Sequence, residues 1–418
     1  MAETDANFRS GKPVARAFII SYLTYAAYYL TRLNISVALP SMAIELGYPK
    51  ATWGVMGGLF SAAYGVGQIV NGRLAERMDA RKVMTTGLVL SAVSNAIFGI
   101  AGTAEAMIVL WAVNGYAQST GWPSVVKVVS EFIGRGSKGK AGGVFGTCFL
   151  VGSASSLLFS GYVSSRFGWR AAFIFPPALA LLFAVLFNLG LGGLKTDQSG
   201  KERDSRRQPA RGMSVFTTEV AAVTAAYVLL QFVRSWFGLW APAYIFEIRG
   251  VALDYASYGA AVIPMGGMAG AVLSGWVLDR FGARRRTPAI FAMTASLGVV
   301  LLALRSSTDF MASGILLFFG GLTLYGPHVV ISTIFPMEFG GRHGAANLAG
   351  FIDGLGYLGT TFADPFVGWI IDSGGWEAAT SFWTASSFGA ASLMYFLWRA
   401  ERGKARASSP AENPHVRN

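Results

Sequence analysis

The sequence predicts an all-α membrane protein with twelve transmembrane helices in two halves of six, and three observations support this prediction. Hydrophobic residues make up 53% of the 418 residues and charged residues only 13%, which is too apolar for a soluble protein of this size. Apolar stretches that could each cross a hydrocarbon core about 30 Å thick recur between residues 14 and 398. A polar segment near the middle of the chain separates six such stretches from another six.

That polar segment, KTDQSGKERDSRRQPARG, has no apolar periodicity and is typical of a linker. We therefore predict an N-terminal six-helix half over residues 1–194, a cytoplasmic linker over 195–214, a C-terminal six-helix half over 215–399 and a cytoplasmic tail over 400–418. The 52 glycines fit close packing between membrane helices.

The net charge of +12 first suggests a nucleic-acid partner, but the basic residues are scattered over short loops between apolar runs. This distribution is how membrane proteins encode topology. If both termini and the linker share one side, most of the 34 lysines and arginines lie there, and that side is cytoplasmic. The opposite side then receives only Lys50, Arg166, Arg170, Arg249 and Arg305. We predict a monomeric multi-pass protein surrounded by lipid, with no nucleic-acid partner.

Enzyme function is not indicated by the sequence. The chain has one cysteine, Cys148, and three histidines, with no metal-ligand cluster, no nucleophile beside a base and no GxxxxGK[ST] motif. We therefore predict no cofactor and no metal. A pump driven by ATP would need a nucleotide-binding domain from another chain.

The two halves repeat in sequence at an offset of about 203 residues. GRLAERMDARK follows the second span and GWVLDRFGARR follows the eighth, and this loop resembles the signature of the major facilitator superfamily. We predict that Glu76 with Arg77, and Asp279 with Arg280, form a gating latch that stabilises one access state. The alternative is a loop with a structural and topological role only.

Two arginines occupy matching places inside predicted spans, Arg32 in span 14–43 and Arg234 in span 215–247. Repeat-related charges should converge on a cavity between the halves near the midplane. Guanidinium groups bind carboxylate or phosphate oxygens two at a time, so we predict a small oxyanion as substrate. Pairing with a carboxylate, or reaching to the interface, is the alternative for each arginine. No mid-span carboxylate is available to Arg32 in the first half.

Further candidates surround this arginine pair. Asp353 could neutralise Arg234, carry a coupling proton or receive the cationic end of a zwitterionic substrate. Lys127 could form a helix-end salt bridge with Glu131 or lie on the substrate path. Aromatic residues predicted to line the cavity, with ordinary packing as their alternative, are Tyr25, Tyr29, Tyr64, Trp236, Tyr325 and Tyr357.

Segments including YLTYAAYYLTRLN, GYAQSTGWPSVVKV, FVRSWFGLWAPAYI and GFIDGLGYLG resemble the organophosphate:phosphate antiporter family of the major facilitator superfamily. This family includes glycerol-3-phosphate and hexose-phosphate transporters. The resemblance implies the major facilitator fold, phosphate binding by Arg32 and Arg234, and exchange of organic phosphate for inorganic phosphate. It also places Tyr25, Tyr29, Tyr64, Tyr325 and Tyr357 in the substrate cavity.

The chain departs from the glycerol-3-phosphate transporter pattern at four places. This chain has Gln68 where that pattern has a lysine, Phe149 where it has a histidine, Leu239 where it has an aspartate and Asp353 where it has a glycine. The predicted site has lost positive character in the first half and gained a carboxylate in the second. A phosphonate, a carboxylate or a zwitterion such as an amino-phosphonate could therefore suit the site better than a sugar phosphate.

We accordingly predict a secondary active transporter of a small organic anion in a bacterial inner membrane, working by alternating access with inorganic phosphate as the exchanged species. One alternative keeps the fold and couples transport to protons through Asp353. Another is a membrane sensor of an organic phosphate that signals to a partner.

Overall fold

The computed structural model describes residues 12–132, 145–191, 217–282, 285–307 and 309–407, and within these ranges it is helical and contains no strand. The predicted all-α fold is confirmed. Seven helical stretches in this part of the chain are long and apolar enough to cross a membrane. The helices are α1 (Lys12–Tyr28), α2 (Asn34–Leu46), α3 (Lys50–Arg77), α4 (Ala80–Ile100), α5 (Ala104–Gln118), α6 (Gly121–Phe132), α7 (Cys148–Phe167), α8 (Phe175–Leu191), α9 (Thr218–Ser235), α10 (Ala241–Arg249), α11 (Leu253–Phe281), α12 (Arg286–Ser306), α13 (Phe310–Val329) and α14 (Phe335–Ala407).

Several predicted spans are interrupted. The first consists of α1 and α2 with a 3₁₀ turn, Tyr29–Thr31, between them. The seventh consists of α9 and α10 joined by a π-helical turn, Trp236–Trp240. A second π-helical turn, Val330–Ile334, follows α13. Such interruptions are frequent at functional sites of helices.

The long helix α14 is a hairpin that folds back at Gly375, whose φ of 71° lies in the left-handed region. The rings of Phe366 and Phe382 are 5.5 Å apart. In a straight helix sixteen residues would separate them by about 24 Å. The predicted spans at 344–372 and 376–398 are thus the two arms of this hairpin, joined by a one-glycine turn.

The two ends of the helical bundle differ in how the halves meet. Arg81, at the start of α4, donates to the carbonyl of Leu191, the last residue of α8 (3.2 Å), so these positions lie together at what we call the linker end. The opposite end, where α3 begins, is called the Lys50 end.

Contacts between the halves at the Lys50 end are polar and specific. Asp372 accepts hydrogen bonds from the backbone N–H groups of Lys50 (2.9 Å) and Ala51 (2.7 Å), which caps α3 from the other half. The Lys50 ammonium forms an ion pair with Glu247 (3.0 Å), and the indole of Trp376 donates to the same carboxylate (2.8 Å). The halves are therefore fastened together at this end.

A related set of contacts lies inside the N-terminal half. The indole of Trp169 donates to Glu45 (2.7 Å), and Arg170 forms an ion pair with that carboxylate (2.5 Å). Glu45 and Glu247 are thus each bound by one tryptophan and one cation. For Glu45 the cation is Arg170 of the same half, and for Glu247 it is Lys50 of the other half.

Glycines allow the backbones of α3 and the first arm of α14 to come into direct contact. A Cβ built on Gly58 would lie 2.5 Å from the carbonyl oxygen of Thr361, and one on Gly54 would clash with the carbonyl of Asp364. A Cβ on Gly368 would lie 2.5 Å from the carbonyl oxygen of Lys50. This small-residue packing is typical of membrane helix pairs and closes the Lys50 end.

The predicted latch is only partly described. Arg77 and Arg280 are exposed at the ends of α3 and α11, whereas the side chains of Glu76 and Asp279 lie outside the described residues. The latch therefore stays a prediction. A carboxylate cap is seen at Asp79, whose side chain accepts from the N–H of Arg81 (3.0 Å) at the start of α4.

Lys127 lies within α6, and its side chain reaches the end of α3. Its ammonium donates to the carbonyls of Ala75 (2.6 Å) and Met78 (3.2 Å), at the C-terminus of α3. A cation there interacts favourably with the helix dipole and caps free carbonyls. Its predicted partner Glu131 has its side chain outside the described residues.

Replacing Gly54 by leucine is expected to separate the halves at the Lys50 end, because the added side chain has no room beside Asp364. Spin labels at positions 100 and 306, which end α4 and α12 at the Lys50 end, would report a longer distance between the halves. Gly72→Leu on the same helix is the control, since a Cβ there meets nothing within 4 Å. An unchanged distance in Gly54→Leu would contradict the packing argument.

Candidate functional site

A cavity of about 110 Å³ lies between the halves, and both predicted arginines line it. Its apolar walls include Phe60, Trp111 and Phe149 from the N-terminal half and Phe237, Leu239 and Ile263 from the C-terminal half. Its polar lining consists of Tyr29, Arg32, Ser61, Ser153, Gln231, Arg234, Ser235, Tyr325, Tyr357, Thr360 and Asp364. A mostly apolar cavity with a few convergent polar groups is typical of a small-molecule site.

Arg32 lies at the break in the first span, directly after the 3₁₀ turn. The break leaves carbonyl groups without their usual helical donors, and in a membrane such groups need other partners. Gln118 donates to the carbonyl of Tyr28 (3.0 Å), while Asn95 (3.1 Å) and Asn114 (2.8 Å) both donate to that of Thr31. Side chains of α4 and α5 therefore hold the broken backbone from which Arg32 extends.

The same polar cluster continues behind the break. Asn34, the first residue of α2, donates to the side chain of Asn95 (2.7 Å) and to the carbonyl of Ala172 (2.9 Å). Ser91 donates to the side-chain oxygen of Asn114 (2.6 Å), and its hydroxyl oxygen lies 2.8 Å from that of Thr31. These groups are buried, so this network fixes the conformation of the turn.

The guanidinium of Arg32 is surrounded by aromatic rings. Its central carbon lies 4.5 Å from the ring centroid of Tyr64, 5.2 Å from that of Phe60 and 5.4 Å from that of Tyr29. It also donates a hydrogen bond to the hydroxyl of Tyr357 in the other half (3.2 Å). Cation–π contacts of this kind stabilise a charge without neutralising it.

Arg234 approaches the same tyrosine from the C-terminal half. Its central carbon is 5.9 Å from the ring of Tyr357, and one terminal nitrogen donates to Gln231 (3.4 Å). Its Nε is buried without a hydrogen-bond partner. Among the described residues, neither Arg32 nor Arg234 forms an ion pair with a carboxylate. Two cationic side chains, one from each half, thus meet around Tyr357.

The structure places six of the predicted site residues around the cavity, namely Tyr29, Arg32, Phe149, Arg234, Tyr325 and Tyr357. Two more predicted residues, Tyr25 and Tyr64, pack against residues of this group. Tyr25 packs against Tyr29 with ring centroids 6.1 Å apart, and Tyr64 lies between Arg32 and Tyr357, its ring 4.6 Å from that of Tyr357. Gln68 is half-buried one turn beyond Tyr64 and is outside the cavity lining.

The expected cavity position of Trp236 is corrected by the structure. This residue is fully buried and its ring stacks on that of Trp383 at 4.7 Å. It points into the core of the C-terminal half, so it supports α9 from behind.

Asp353 also lies outside the cavity lining, and its carboxylate accepts a hydrogen bond from Tyr227 (2.8 Å). The acidic residue in the cavity is Asp364, which the sequence analysis missed. Asp364 lies eleven residues after Asp353, close to three helical turns, and therefore on nearly the same face of α14. A helical projection that included Tyr357 could have indicated it.

Gln231 is a second missed residue. It lies one turn before Arg234 and lines the cavity while being only 1% exposed. Its carboxamide oxygen accepts from Arg234, and its Nε2 has no partner. A buried amide donor beside two guanidinium groups adds to the capacity of the site to bind oxyanion oxygens.

The comparisons with known proteins concern nearly the whole chain. The sequence profile of the Major Facilitator Superfamily matches residues 21–363. The chain is 25% identical to a probable hexose phosphate transport protein of Chlamydia pneumoniae, over 94% of this chain and 93% of that protein. It is 24% identical to the glycerol-3-phosphate transporter of Bacillus subtilis (strain 168), over 92% of each chain. It is also 24% identical to the membrane sensor protein UhpC of Escherichia coli (strain K12), over 90% and 89%.

Solved structures share the fold. An inward-facing, occupied bacterial homolog of the human lysosomal transporter Spinster superposes with a TM-score of 0.72 at 14% identity, covering 96% of this chain and all of that one. A D-xylose–proton symporter gives a TM-score of 0.72 at 14% identity, covering 92% and 98%. These likenesses confirm the architecture predicted from the sequence.

Replacing Gln118 by leucine is expected to lower the free energy of unfolding by about 1–3 kcal/mol, because the carbonyl of Tyr28 loses a donor inside the bundle. Denaturation of the purified protein in detergent would measure this. Asn188→Leu is the control, since Asn188 is an exposed amide that donates to Thr85 (2.8 Å). Equal losses in both variants would show that the network does not support the break.

Proposed function

The chain belongs to the Major Facilitator Superfamily, and from this we propose that it is a secondary active transporter that carries a small organic phosphate or similar oxyanion. It is an integral multi-pass membrane protein and not an enzyme. The observation that carries the proposal is the meeting of Arg32 and Arg234 around Tyr357 in the central cavity.

Electrostatics favour an anion at this place. Two guanidinium groups near each other in a low-dielectric region repel, and the cost of burying them falls when an anion lies between them. A phosphate group accepts two hydrogen bonds from each planar fork. Tyr29, Tyr325 and Tyr357 add hydroxyl groups from both halves, so one substrate can contact both halves at once.

The relatives narrow the class of anion. Two of them carry names that specify hexose phosphate and glycerol-3-phosphate, and their similarity extends over nearly the whole chain. A phosphorylated or phosphonylated organic compound is therefore the substrate that we propose. Because Gln68 and Phe149 depart from the glycerol-3-phosphate transporter pattern, we do not specify the organic part of the substrate.

We propose alternating access as the mechanism, with the Lys50 end facing the periplasm and the linker end facing the cytoplasm. The fastening of Lys50 to Glu247 and Asp372 closes the periplasmic end in this conformation. To open that end, the halves must break these contacts and close at the linker end. Substrate binding shifts the equilibrium towards one conformation only by as much as the substrate binds more tightly to that conformation than to the other.

Exchange with inorganic phosphate is the mode of transport that the same two charges favour. For the transporter to return without a substrate, the halves would have to close around Arg32 and Arg234 with no anion bound. The repulsion between the two cations disfavours this step. Inorganic phosphate offers the same oxygens as the organic substrate and can accompany the return step. We therefore propose an antiporter in a bacterial inner membrane.

Two alternatives have their own support. A proton-coupled symporter would use a membrane carboxylate such as Asp353, which the structure binds to Tyr227. A sensor is suggested by the similarity to UhpC of Escherichia coli. A sensor would bind the anion without moving it across the membrane.

Removing either cavity arginine is expected to abolish stabilisation by anions, because each loses a charge-assisted bidentate contact worth about 1.5–3 kcal/mol. Thermal shifts of wild type, Arg32→Ala and Arg234→Ala with inorganic phosphate and glycerol 3-phosphate would measure this. Arg305→Ala is the control, since Arg305 pairs with Glu377 on the exposed surface. Equal responses in the parent and the cavity variants would assign both arginines a structural role.

Proteoliposomes loaded with inorganic phosphate are expected to take up labelled organic phosphate, whereas empty vesicles are expected to take up none. The physical reason is the disfavoured empty return of the two arginines. Uptake into phosphate-free vesicles driven by a pH gradient would contradict exchange and favour the symporter. Binding without any counterflow would favour the sensor.

A further inference from the structure

We infer that Asp364 forms a second subsite in the cavity, which binds a cationic group of the substrate, so that the substrate is a zwitterionic amino-phosphate or amino-phosphonate. This inference rests on the proposed function, because it takes the arginine pair as the anion subsite and adds the opposite charge to the same cavity.

Asp364 is a buried acid with little to stabilise its charge. Its side chain is 4% exposed, lines the cavity and accepts a hydrogen bond from the hydroxyl of Ser235. Among the described residues, no lysine or arginine forms an ion pair with it. A carboxylate inside a membrane protein usually faces a partner cation or a substrate path.

The protein's own cavity cations are directed elsewhere. Arg32 is held by three aromatic rings and by Tyr357, and Arg234 contacts Gln231 and Tyr357. Arg234 and Ser235 are neighbours in the chain, yet only the Ser235 hydroxyl bonds to Asp364. The cation that completes this subsite is therefore a group carried by the substrate.

The spacing of the two subsites suits a short molecule. Asp364 follows Tyr357 by seven residues on α14, which is two turns and about 10 Å along the helix axis. Both side chains lie on the cavity side of that helix, with Thr360 one turn from each. A phosphate beside the arginines and an ammonium beside Asp364, joined by a short chain, would span this distance.

The surroundings of Asp364 also fit a ligand contact shared by both halves. A Cβ built on Gly57 of α3 would lie 3.0 Å from one carboxylate oxygen of Asp364 and 2.8 Å from the side chain of Leu239. The glycine thus leaves the room in the N-terminal half that the carboxylate of Asp364 occupies, so this carboxylate lies where the two halves meet.

Matched ligands test the inference directly. Phosphoethanolamine and ethyl phosphate share the phosphate and differ in the ammonium group. We expect wild type to bind phosphoethanolamine about tenfold or more tightly than ethyl phosphate, measured by isothermal titration calorimetry. In Asp364→Asn this preference is expected to disappear while the affinity for ethyl phosphate is kept. Asp309→Asn, which removes one exposed carboxylate that caps α13, is the control.

The outcomes separate this inference from the proposed function. Wild type that binds ethyl phosphate at least as tightly as phosphoethanolamine overturns the cation subsite and leaves the anion site standing. Wild type that binds neither ligand, nor inorganic phosphate, overturns both. If Asp364→Asn fails to fold, the comparison of the two ligands on wild type and on Asp364→Glu still decides, since a carboxylate subsite keeps the preference for the ammonium compound.

Discussion

Within a bilayer a backbone carbonyl that leaves its helix must find another donor, and this constraint organises the whole N-terminal half. The first span breaks at the Tyr29–Thr31 turn, and the amides of Asn95, Asn114 and Gln118 supply the missing donors. Because α4 and α5 contribute these amides, both helices must pack against the broken span. The position of Arg32 follows from this arrangement, since it comes directly after the turn. A charged residue in the membrane is thus placed by neutral groups that bond to the backbone beside it.

The two arginines of the cavity are held in different ways, although the repeat makes them equivalent in sequence. Arg32 is confined by the rings of Tyr29, Phe60 and Tyr64, and little of its side-chain freedom remains to be lost on binding. Arg234 extends from a helix that continues through a π-helical turn, and its Nε has no partner. Arg32 is therefore held mainly by aromatic rings of its own half, whereas Arg234 keeps one buried N–H group that a substrate oxygen can accept from.

Long apolar stretches and the internal repeat allowed the sequence to predict the all-α fold and the arginine pair, because segment length and matching positions in the two halves can be read without knowing any contact. Trp236 was misplaced because periodicity in an apolar span does not show which face of the helix meets the cavity. Asp364 was overlooked because apolar neighbours and Pro365 surround it, although its spacing from Tyr357 marks the same face. The pairing of Lys50 with Glu247 joins segments nearly two hundred residues apart, and no local pattern encodes such a partner.

The contacts at the Lys50 end also show how the two halves differ. In the N-terminal half, Glu45 is bound by Trp169 and by Arg170, which follows it in the chain. In the C-terminal half Trp376 is followed by an acid, Glu377, and the cation for Glu247 comes from the opposite half. The cation for Glu45 thus comes from the same half, whereas the cation for Glu247 comes from the other half. The two halves are therefore not interchangeable at this end, because the ion pair between them takes its ammonium group from the N-terminal half and its carboxylate from the C-terminal half.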